Sequence, residues 1–227
     1  SNPLAPVIAG SITSPTSLNG ASAVYVSGKY AYVANTVDNS LRIIDISNPS
    51  TPTIIGGVAS STVLKGAASV YVSGGYAYVT AGNSLRTILV SNPSSPTIVG
   101  GVTSTALARA TDVKVAGKYA YVTAGSDNAL RIIDIASSTA PTIVGGIQSA
   151  AYIGGPDTVF VVGKYAYISG STNNTDMTII DIGGIDAPSA HIGALQVNTL
   201  NVTENLTVAN NAYISNGLNV GVGGIAT

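Results

Sequence analysis

The sequence predicts an all-β protein, made of four tandem four-stranded units of the β-propeller type and a short hexad-repeat segment. A Gly-x-Tyr-Ala-Tyr core recurs at Gly28–Tyr32, Gly74–Tyr78, Gly117–Tyr121 and Gly163–Tyr167, 43–46 residues apart. Each copy contains four short apolar runs separated by turn residues. After His191 the period changes to six residues. Self-similarity at such periods is the signature of repeat architectures.

Each copy has the pattern of an antiparallel meander. In the first copy the apolar runs are Val24–Val26, Tyr30–Val33, Leu41–Ile46 and Thr53–Val58. Short runs of Val, Ile, Leu and Tyr bounded by turn residues are typical of strands. One meander cannot bury both of its faces, so the copies must pack face to face, radially in a propeller or linearly in a solenoid. Four strands in 43–46 residues favour the propeller.

Turn residues occupy the same places in successive copies. Gly28 supplies the positive φ that a two-residue hairpin needs, and the pairs Asp38-Asn39 and Asp127-Asn128 tolerate left-handed conformations in the next hairpin. Glycine pairs recur in the fourth run, where we expect a bend or bulge. These pairs are Gly56-Gly57, Gly100-Gly101 and Gly145-Gly146.

Three segments of the first copy resemble the bacterial LVIVD-type repeat, which is named for its third strand. They are Tyr30-Ala-Tyr-Val, Leu41-Arg-Ile-Ile-Asp-Ile and Ser47-Asn-Pro. The resemblance covers residues 1–194 and implies a β-propeller of surface or secreted proteins. The second copy departs from the pattern, because Leu89 stands where the first copy has Asp45.

The phase of the repeat leaves two blade arrangements open. The chain opens with a fourth-strand segment, Pro6–Ile12, and a further one, Ala190–Leu195, follows the last copy. If Pro6–Ile12 pairs with Met177–Ile182, four blades close as a ring and Ala190–Leu195 is displaced. Alternatively, these are four blades of a larger propeller. Because Ser1-Asn2-Pro3 matches the interior of a repeat, we expect the chain to be processed or cut from a longer polypeptide.

The segment 195–227 is predicted to be a second domain, a β-stalk that follows the repeat domain 1–194. Apolar pairs recur every six residues, as in Leu200/Val202, Leu206/Val208 and Leu218/Val220. The segment resembles the interdigitated trimeric β-shafts of viral fibres and bacterial surface stalks. This implies association of identical chains as a homotrimer or filament. A single-chain β-solenoid cap is the alternative.

The composition excludes several classes of partner. Nine basic and ten acidic residues leave a net charge of −1, which provides no electrostatic footprint for nucleic acid. No apolar run is long enough for a membrane span. Cysteine is absent, which excludes disulfides and thiolate metal sites. We predict no cofactor and no bound metal.

The histidine and the repeated carboxylates are the candidate catalytic residues of the sequence. The only histidine, His191, has no matching Asp or Ser motif, so we assign it a structural or solvent-facing role. Asp45, Asp134 and Asp181 are equivalent residues of three copies. A shared structural role is expected for them, with each side chain accepting backbone N–H bonds at the following turn.

The repeated charged residues and two polar loops are candidate binding sites. Arginines on the third strand and lysines on the first hairpin are expected to form a solvated ring or to pair with a neighbouring blade, a ring for acidic glycans being the alternative. They are Arg42, Arg86, Arg131, Lys29, Lys118 and Lys164. The loops 126–128 and 173–176 carry oxygen ligands but lack the spaced carboxylates of a calcium loop, so hairpin turns are expected. Sequons at Asn173, Asn201 and Asn205 carry little weight in an Asn/Thr-rich chain.

These observations favour a non-enzymatic extracellular or cell-surface module, structural or adhesive, with a propeller head on an oligomeric β-fibre. Its partners are expected to be copies of itself and surface glycans or proteins. One alternative is a filament or surface-layer subunit that polymerises by strand pairing. Another is a glycan-active enzyme with a site in the central channel, for which the sequence offers no convergent polar residues.

Overall fold

The computed structural model describes residues 4–171 and 177–183, which all lie in the compact unit Ser1–Gly184. The predicted all-β class is confirmed there: the described residues form strands and one short turn of 3-10 helix, Thr105–Leu107. The strands are β1 (Ala21–Ser27), β2 (Tyr30–Asn35), β3 (Ser40–Asp45), β4 (Thr53–Ala59), β5 (Ala67–Ser73), β6 (Tyr76–Ala81), β7 (Ser84–Leu89), β8 (Thr97–Thr103), β9 (Ala110–Ala116), β10 (Tyr119–Ala124), β11 (Ala129–Asp134), β12 (Thr142–Gln148), β13 (Pro156–Val162), β14 (Tyr165–Gly170) and β15 (Met177–Asp181).

The strands form four antiparallel sheets in chain order, as the repeat predicts. We call them blades 1 to 4: β1–β4, β5–β8, β9–β12 and β13–β15. Blade 4 has three described strands. Its expected fourth strand, Ala190–Leu195, lies outside the described residues, as do the boundary near residue 194 and the segment 195–227.

The hairpins have the predicted backbone conformations. Gly28 has φ of 58°, and Asn39 and Asn128 have φ of 50° and 51°. These left-handed conformations suit glycine and asparagine.

The predicted bulge in the fourth strand is confirmed. In blade 1, Ile43 pairs with Gly56 whereas Ile44 pairs with Ile54, so Ile55 is the extra residue. Glycine is required beside it because a Cβ on Gly56 would lie 2.1 Å from the carbonyl oxygen of Pro93 in blade 2. The bulge therefore brings one blade's outer strand against the next blade's turn.

Each blade has two apolar faces, and the core forms where a face of one blade meets a face of the next. We call the face toward the following blade trailing and the face toward the preceding blade leading. Tyr32 and Ile43 on the trailing face of blade 1 form one cluster with Val70 and Val79 on the leading face of blade 2. Equivalent clusters join blades 2 and 3 and blades 3 and 4. Each buried Val, Leu or Ile contributes roughly 1.5–3 kcal/mol, so these faces dominate the stability.

The structure does not show the four-blade closed ring, one of the two predicted arrangements. Pro6–Ile12 forms no strand in the described chain, and β15 pairs there only with β14. The segment instead lies on blade 1, where a Cβ on Gly10 would meet the carbonyl oxygen of Pro49 at 2.1 Å. This matches the approach of Gly56 to Pro93. The segment thus keeps the contact that the fourth strands of blades 1 and 2 make with the following blade, and it does not pair with β15.

We predict that Gly100→Ala loosens the contact between blades 2 and 3. A Cβ at Gly100 would lie 2.5 Å from the carbonyl oxygens of Ser138 and Thr139. Such overpacking costs roughly 1–3 kcal/mol, which urea denaturation will measure. Thr97→Ala, at an exposed position of the same strand, is the control. Equal stability of the two variants would contradict the close-approach argument.

Candidate functional sites

The repeated aspartates at the ends of β3, β11 and β15 fix the turns that follow. The N–H of Ser47 donates to Asp45 Oδ1, that of Ala136 to Asp134 Oδ1 and that of Gly183 to Asp181 Oδ1, each at 2.8 Å. This confirms the predicted structural role. The hydrogen bonds from Ser47 hold the pKa of Asp45 below its usual value. The Gly183 amide, followed by Lys164, does the same for the pKa of Asp181.

Two of the three hairpin lysines, Lys118 and Lys164, pair with an aspartate of their own blade and not with a neighbouring blade, which was one of the two predicted arrangements. Lys164 Nζ lies 3.1 Å from Asp181 and Lys118 Nζ lies 3.7 Å from Asp134. The pairing follows from the register of the second and third strands of each blade. In blades 3 and 4 the tyrosine that follows the lysine lies directly opposite the aspartate. Blade 2 has neither charge, because Gly75 and Leu89 replace both partners. The lysine–aspartate pair therefore joins the two sides of the meander in blades 3 and 4 and has no counterpart in blade 2.

The third-strand arginines also differ from the prediction of a solvated ring. Their Nε groups donate to the linker that precedes β1, β5 or β9 of the same blade, at 3.1–3.2 Å. The pairs are Arg42 with the Ser17 carbonyl, Arg86 with that of Val63 and Arg131 with that of Ala106. Burial lowers the pKa of Arg86. Each arginine therefore has a structural role in fixing its linker, and a ring for acidic glycans stays a prediction.

An asparagine in the second hairpin of blades 1 to 3 holds both ends of the linker that follows the blade. The Gly66 N–H donates to Asn39 Oδ1 at 2.8 Å, and the Ser60 N–H donates to the Asn39 carbonyl at 3.0 Å. Asn83 and Asn128 make the equivalent bonds after blades 2 and 3. The loop 126–128, a candidate calcium ligand by sequence, thus connects blade 3 to the linker that follows it.

The loop 126–128 uses its carboxylate inside the protein. Asp127 forms an ion pair with Arg131 and accepts a hydrogen bond from the Gln148 amide at 2.9 Å. Within residues 4–171 and 177–183, no group of three or more His, Cys, Asp or Glu side chains is arranged to hold a metal ion. The second candidate loop, 173–176, lies outside those ranges.

The sequence did not indicate the role of Asp112, the most buried carboxylate of the described residues. Asp112, 9% exposed on the innermost strand β9, accepts hydrogen bonds from Ser69 Oγ at 2.6 Å and from the N–H groups of Val113 and Val159. These donors belong to blades 2, 3 and 4, so one side chain joins three blades. Aligning the four copies shows the signal, because Ala23, Ser69, Asp112 and Thr158 share the position and only one is charged.

Hydroxyl groups one residue earlier on the innermost strands bridge successive blades. Ser22 Oγ donates to the Ala68 carbonyl at 2.8 Å, and Thr111 Oγ1 donates to the Pro156 carbonyl at 2.7 Å. The position in blade 4 is Asp157, whose carboxylate pairs with Arg109 at 3.3 Å. This inner ring of polar contacts is scaffold as well.

A cavity of about 630 Å³ lies between β15 and the linker that precedes blade 4. Thr178 lines the cavity and donates a hydrogen bond to the Tyr152 carbonyl. Thr178 occupies the position on the third strand at which blades 1 to 3 have arginine. The shorter side chain accounts for part of the space. Ile147, Ile153 and Ile180 make the lining largely apolar.

Several residues singled out by the sequence lie outside the described part of the chain: His191 and the sequon asparagines Asn173, Asn201 and Asn205. Their assigned roles remain predictions. Where the chain is described, it has no helix of the length and apolarity needed to cross a membrane.

The radial packing, the inner ring of strands and the repeated linkers define a β-propeller-type repeat protein. The LVIVD repeat model matches residues 20–60, 65–104, 108–148 and 153–199. The chain therefore belongs to the LVIVD repeat family, as the resemblance in its third strands indicates. The curated proteins include no match to the sequence.

Solved structures with the same fold are distant in sequence. A protein of unknown function from Desulfotomaculum acetoxidans is 11% identical with a TM-score of 0.58, covering 72% of this chain and 52% of its own. The Cps50 (Swd1) β-propeller domain from Myceliophteria thermophila is 15% identical with a TM-score of 0.56, covering 72% and 54%. A Bacteroides uniformis protein, provisionally assigned as a 6-phosphogluconolactonase, is 14% identical with a TM-score of 0.57, covering 72% and 53%. The chain spans about half the length of these structures, and the likeness concerns the fold.

We predict that Asp112→Ala destabilises the protein by roughly 2–4 kcal/mol. The substitution leaves buried donors on three blades without their charged acceptor, and hydrogen bonds to charged groups contribute about 1.5–3 kcal/mol each. Chemical denaturation followed by tyrosine fluorescence measures the change. Asp157→Ala is the control, because an exposed ion pair contributes about 0–1 kcal/mol. A loss no larger than the control's would show that Asp112 does not join the blades.

Proposed function

We propose that this protein is a non-enzymatic extracellular module, structural or adhesive, whose propeller head displays loops and is carried on an oligomeric β-fibre. One observation carries the proposal: the polar side chains that recur in the repeat are bonded to the scaffold. The aspartates hold turns, and the arginines and asparagines hold linkers. The repeat thus uses its polar chemistry to build a display framework.

The composition supports a surface role. Charged residues are 8% of the chain, whereas about a quarter is usual, so Ser, Thr, Asn, Gly and backbone amides supply most of the polar surface. Such a surface binds partners through hydrogen bonds and apolar contact more than through charge. Surface glycans and proteins are partners of this chemistry.

The competing enzyme hypothesis has one source of support, the fold shared with the provisionally assigned lactonase. At 14% identity that likeness concerns the fold, and function depends on a site, not on a fold. The polar residues around the inner strands here are engaged between blades.

Two measurements test the role of the head, one on the purified chain and one on cells that display it. We expect no turnover of sugar lactones, esters or polysaccharides above that of a heat-denatured sample. We also expect cells that display the chain to adhere to glycan- or protein-coated surfaces better than cells with the empty display carrier. Turnover that co-elutes with the folded protein, or adherence equal to that of the empty carrier, would refute the proposal.

The fibre is tested by substitution in the tail. Burying the six apolar side chains of three hexads contributes about 9–18 kcal/mol, whereas ordering some 25 residues costs roughly 1–2 kcal/mol each. A lone tail therefore needs neighbouring chains. Leu206→Asp with Val208→Asp should reduce the native mass while circular dichroism of the head stays unchanged, and Thr207→Asp with Ala209→Asp is the matched control. An unchanged mass in the Leu206/Val208 variant would rule out the fibre.

A further inference from the structure

The trailing face of blade 4 is a blade interface without its partner. The register places Met177 and Ile179 where blade 1 has Leu41 and Ile43, because Asp181 and Asp45 pair with equivalent tyrosines. Leu41 and Ile43 are completely buried against blade 2, whereas Met177 is 63% and Ile179 54% exposed. Phe160 on β13 adds to the same exposed face.

The leading face of blade 1 is the complementary half of that interface. Val24 is 64% exposed, but the equivalent residues Val70, Val113 and Val159 are at most 3% exposed against the blade before them. The interface repeated three times along the chain joins a trailing to a leading face. The two ends of the row present one of each.

The N-terminal segment is also placed for a preceding blade. Gly10 approaches the Pro49 turn of blade 1 as Gly56 approaches the Pro93 turn of blade 2. Gly56 belongs to the fourth strand of the blade in front. The segment around Gly10 therefore lies where the outer strand of a blade preceding blade 1 would lie, and blade 4 has three described strands.

Side chains at one position of the innermost strands contact one another from blade to blade, and the series ends at blade 4. The rings of Tyr25 and Tyr71, at equivalent positions of β1 and β5, are in contact with their centroids 4.6 Å apart and their planes tilted by 48°. Lys114 Nζ, next in the series, lies 5.8 Å from the centre of the Tyr71 ring. Phe160 is the fourth member and is 62% exposed. A Tyr25 ring in the following position would give it an aromatic partner of the same kind.

We propose that two copies of this chain close into one eight-bladed ring, the trailing face of blade 4 in each docked on the leading face of blade 1 in the other. On the leading face of blade 1, Ala31, Val33 and Ile44 are buried, with Ile12 and Leu18 of the N-terminal segment packed against them. Val24 and Val26 of the innermost strand stay 64% and 55% exposed on that face. The trailing face of blade 4 does not cover them in the described part of the chain. The row of blades superposes on 54% of the length of a larger β-propeller domain, so two such rows supply the blades of one circle. The two heterologous interfaces close and leave no free end.

The ring is tested apart from the fibre in the full chain carrying Leu206→Asp and Val208→Asp, which removes tail association. Native mass spectrometry is expected to give twice the 22.6 kDa of one chain. Adding Ile179→Glu or Val24→Glu should give single chains with unchanged circular dichroism. Val37→Glu is the control, since Val37 is 60% exposed but lies in the second hairpin of blade 1. A monomer before these additions, or a dimer that survives both, would overturn the proposal.

Mixing the two face variants distinguishes this ring from other dimers. The Ile179→Glu chain keeps its leading face and the Val24→Glu chain keeps its trailing face, so the mixture should form a heterodimer through one intact interface. Isotope labelling of one variant identifies it by mass. Failure of the two monomeric variants to associate on mixing would overturn the head-to-tail arrangement.

Cross-linking separates a second copy from closure within one chain. Because the sequence lacks cysteine, Tyr25→Cys and Phe160→Cys can be joined specifically by a bismaleimide in a chain that carries both. We expect a covalent dimer on a denaturing gel. A cross-linked monomer would show that the chain closes on itself, and the absence of any cross-link in folded protein would show that another segment or a further blade covers the faces. Either result would overturn the proposal, and neither depends on the fibre.

Discussion

A four-stranded sheet of this composition has two apolar faces, and both must be covered. The rest of the structure follows from that constraint. Tyr32 and Ile43 can leave water only against the next blade, and Val70 only against the one before it. The chain therefore builds its core between sheets, not inside them. Even the polar residues of the inner strands, such as Asp112, are arranged to hold neighbouring blades at contact distance.

Local patterns made the fold predictable. The four strands per copy, the positive φ of Gly28 and Asn39, and the bulge beside Gly56 all follow from residue types whose conformational preferences act within a few residues. Chain closure was not predictable in the same way. Pro6–Ile12 has the pattern of a fourth strand whichever blade it joins, and only the contact of Gly10 with the Pro49 turn decides where it lies.

The polar residues were only partly predictable from the sequence. The aspartates that end the third strands act on the amide two residues later, so their role could be inferred from the adjacent turn. The arginines act on carbonyls about 25 residues earlier in the chain, a relation that no local pattern contains. Asp112 is harder still, because its donors come from three blades and its position is charged in only one copy.

Each linker between blades accepts hydrogen bonds from, or donates them to, residues of both adjoining blades. Asn39 of blade 1 binds the two ends of the linker 60–66, and Arg86 of blade 2 binds its middle at Val63. The angle between successive sheets is thus set at each junction by side chains of the two sheets that meet there. The same junction recurs along the chain, so the curvature of the row of blades depends on contacts within each junction. The number of blades in a closed ring then follows from the angle that each linker sets between its two blades. An evolutionary gain or loss of a blade would leave the contacts at the remaining linkers intact. A change in the asparagine or arginine would instead alter the angle between blades and so the size of ring that the chain can close.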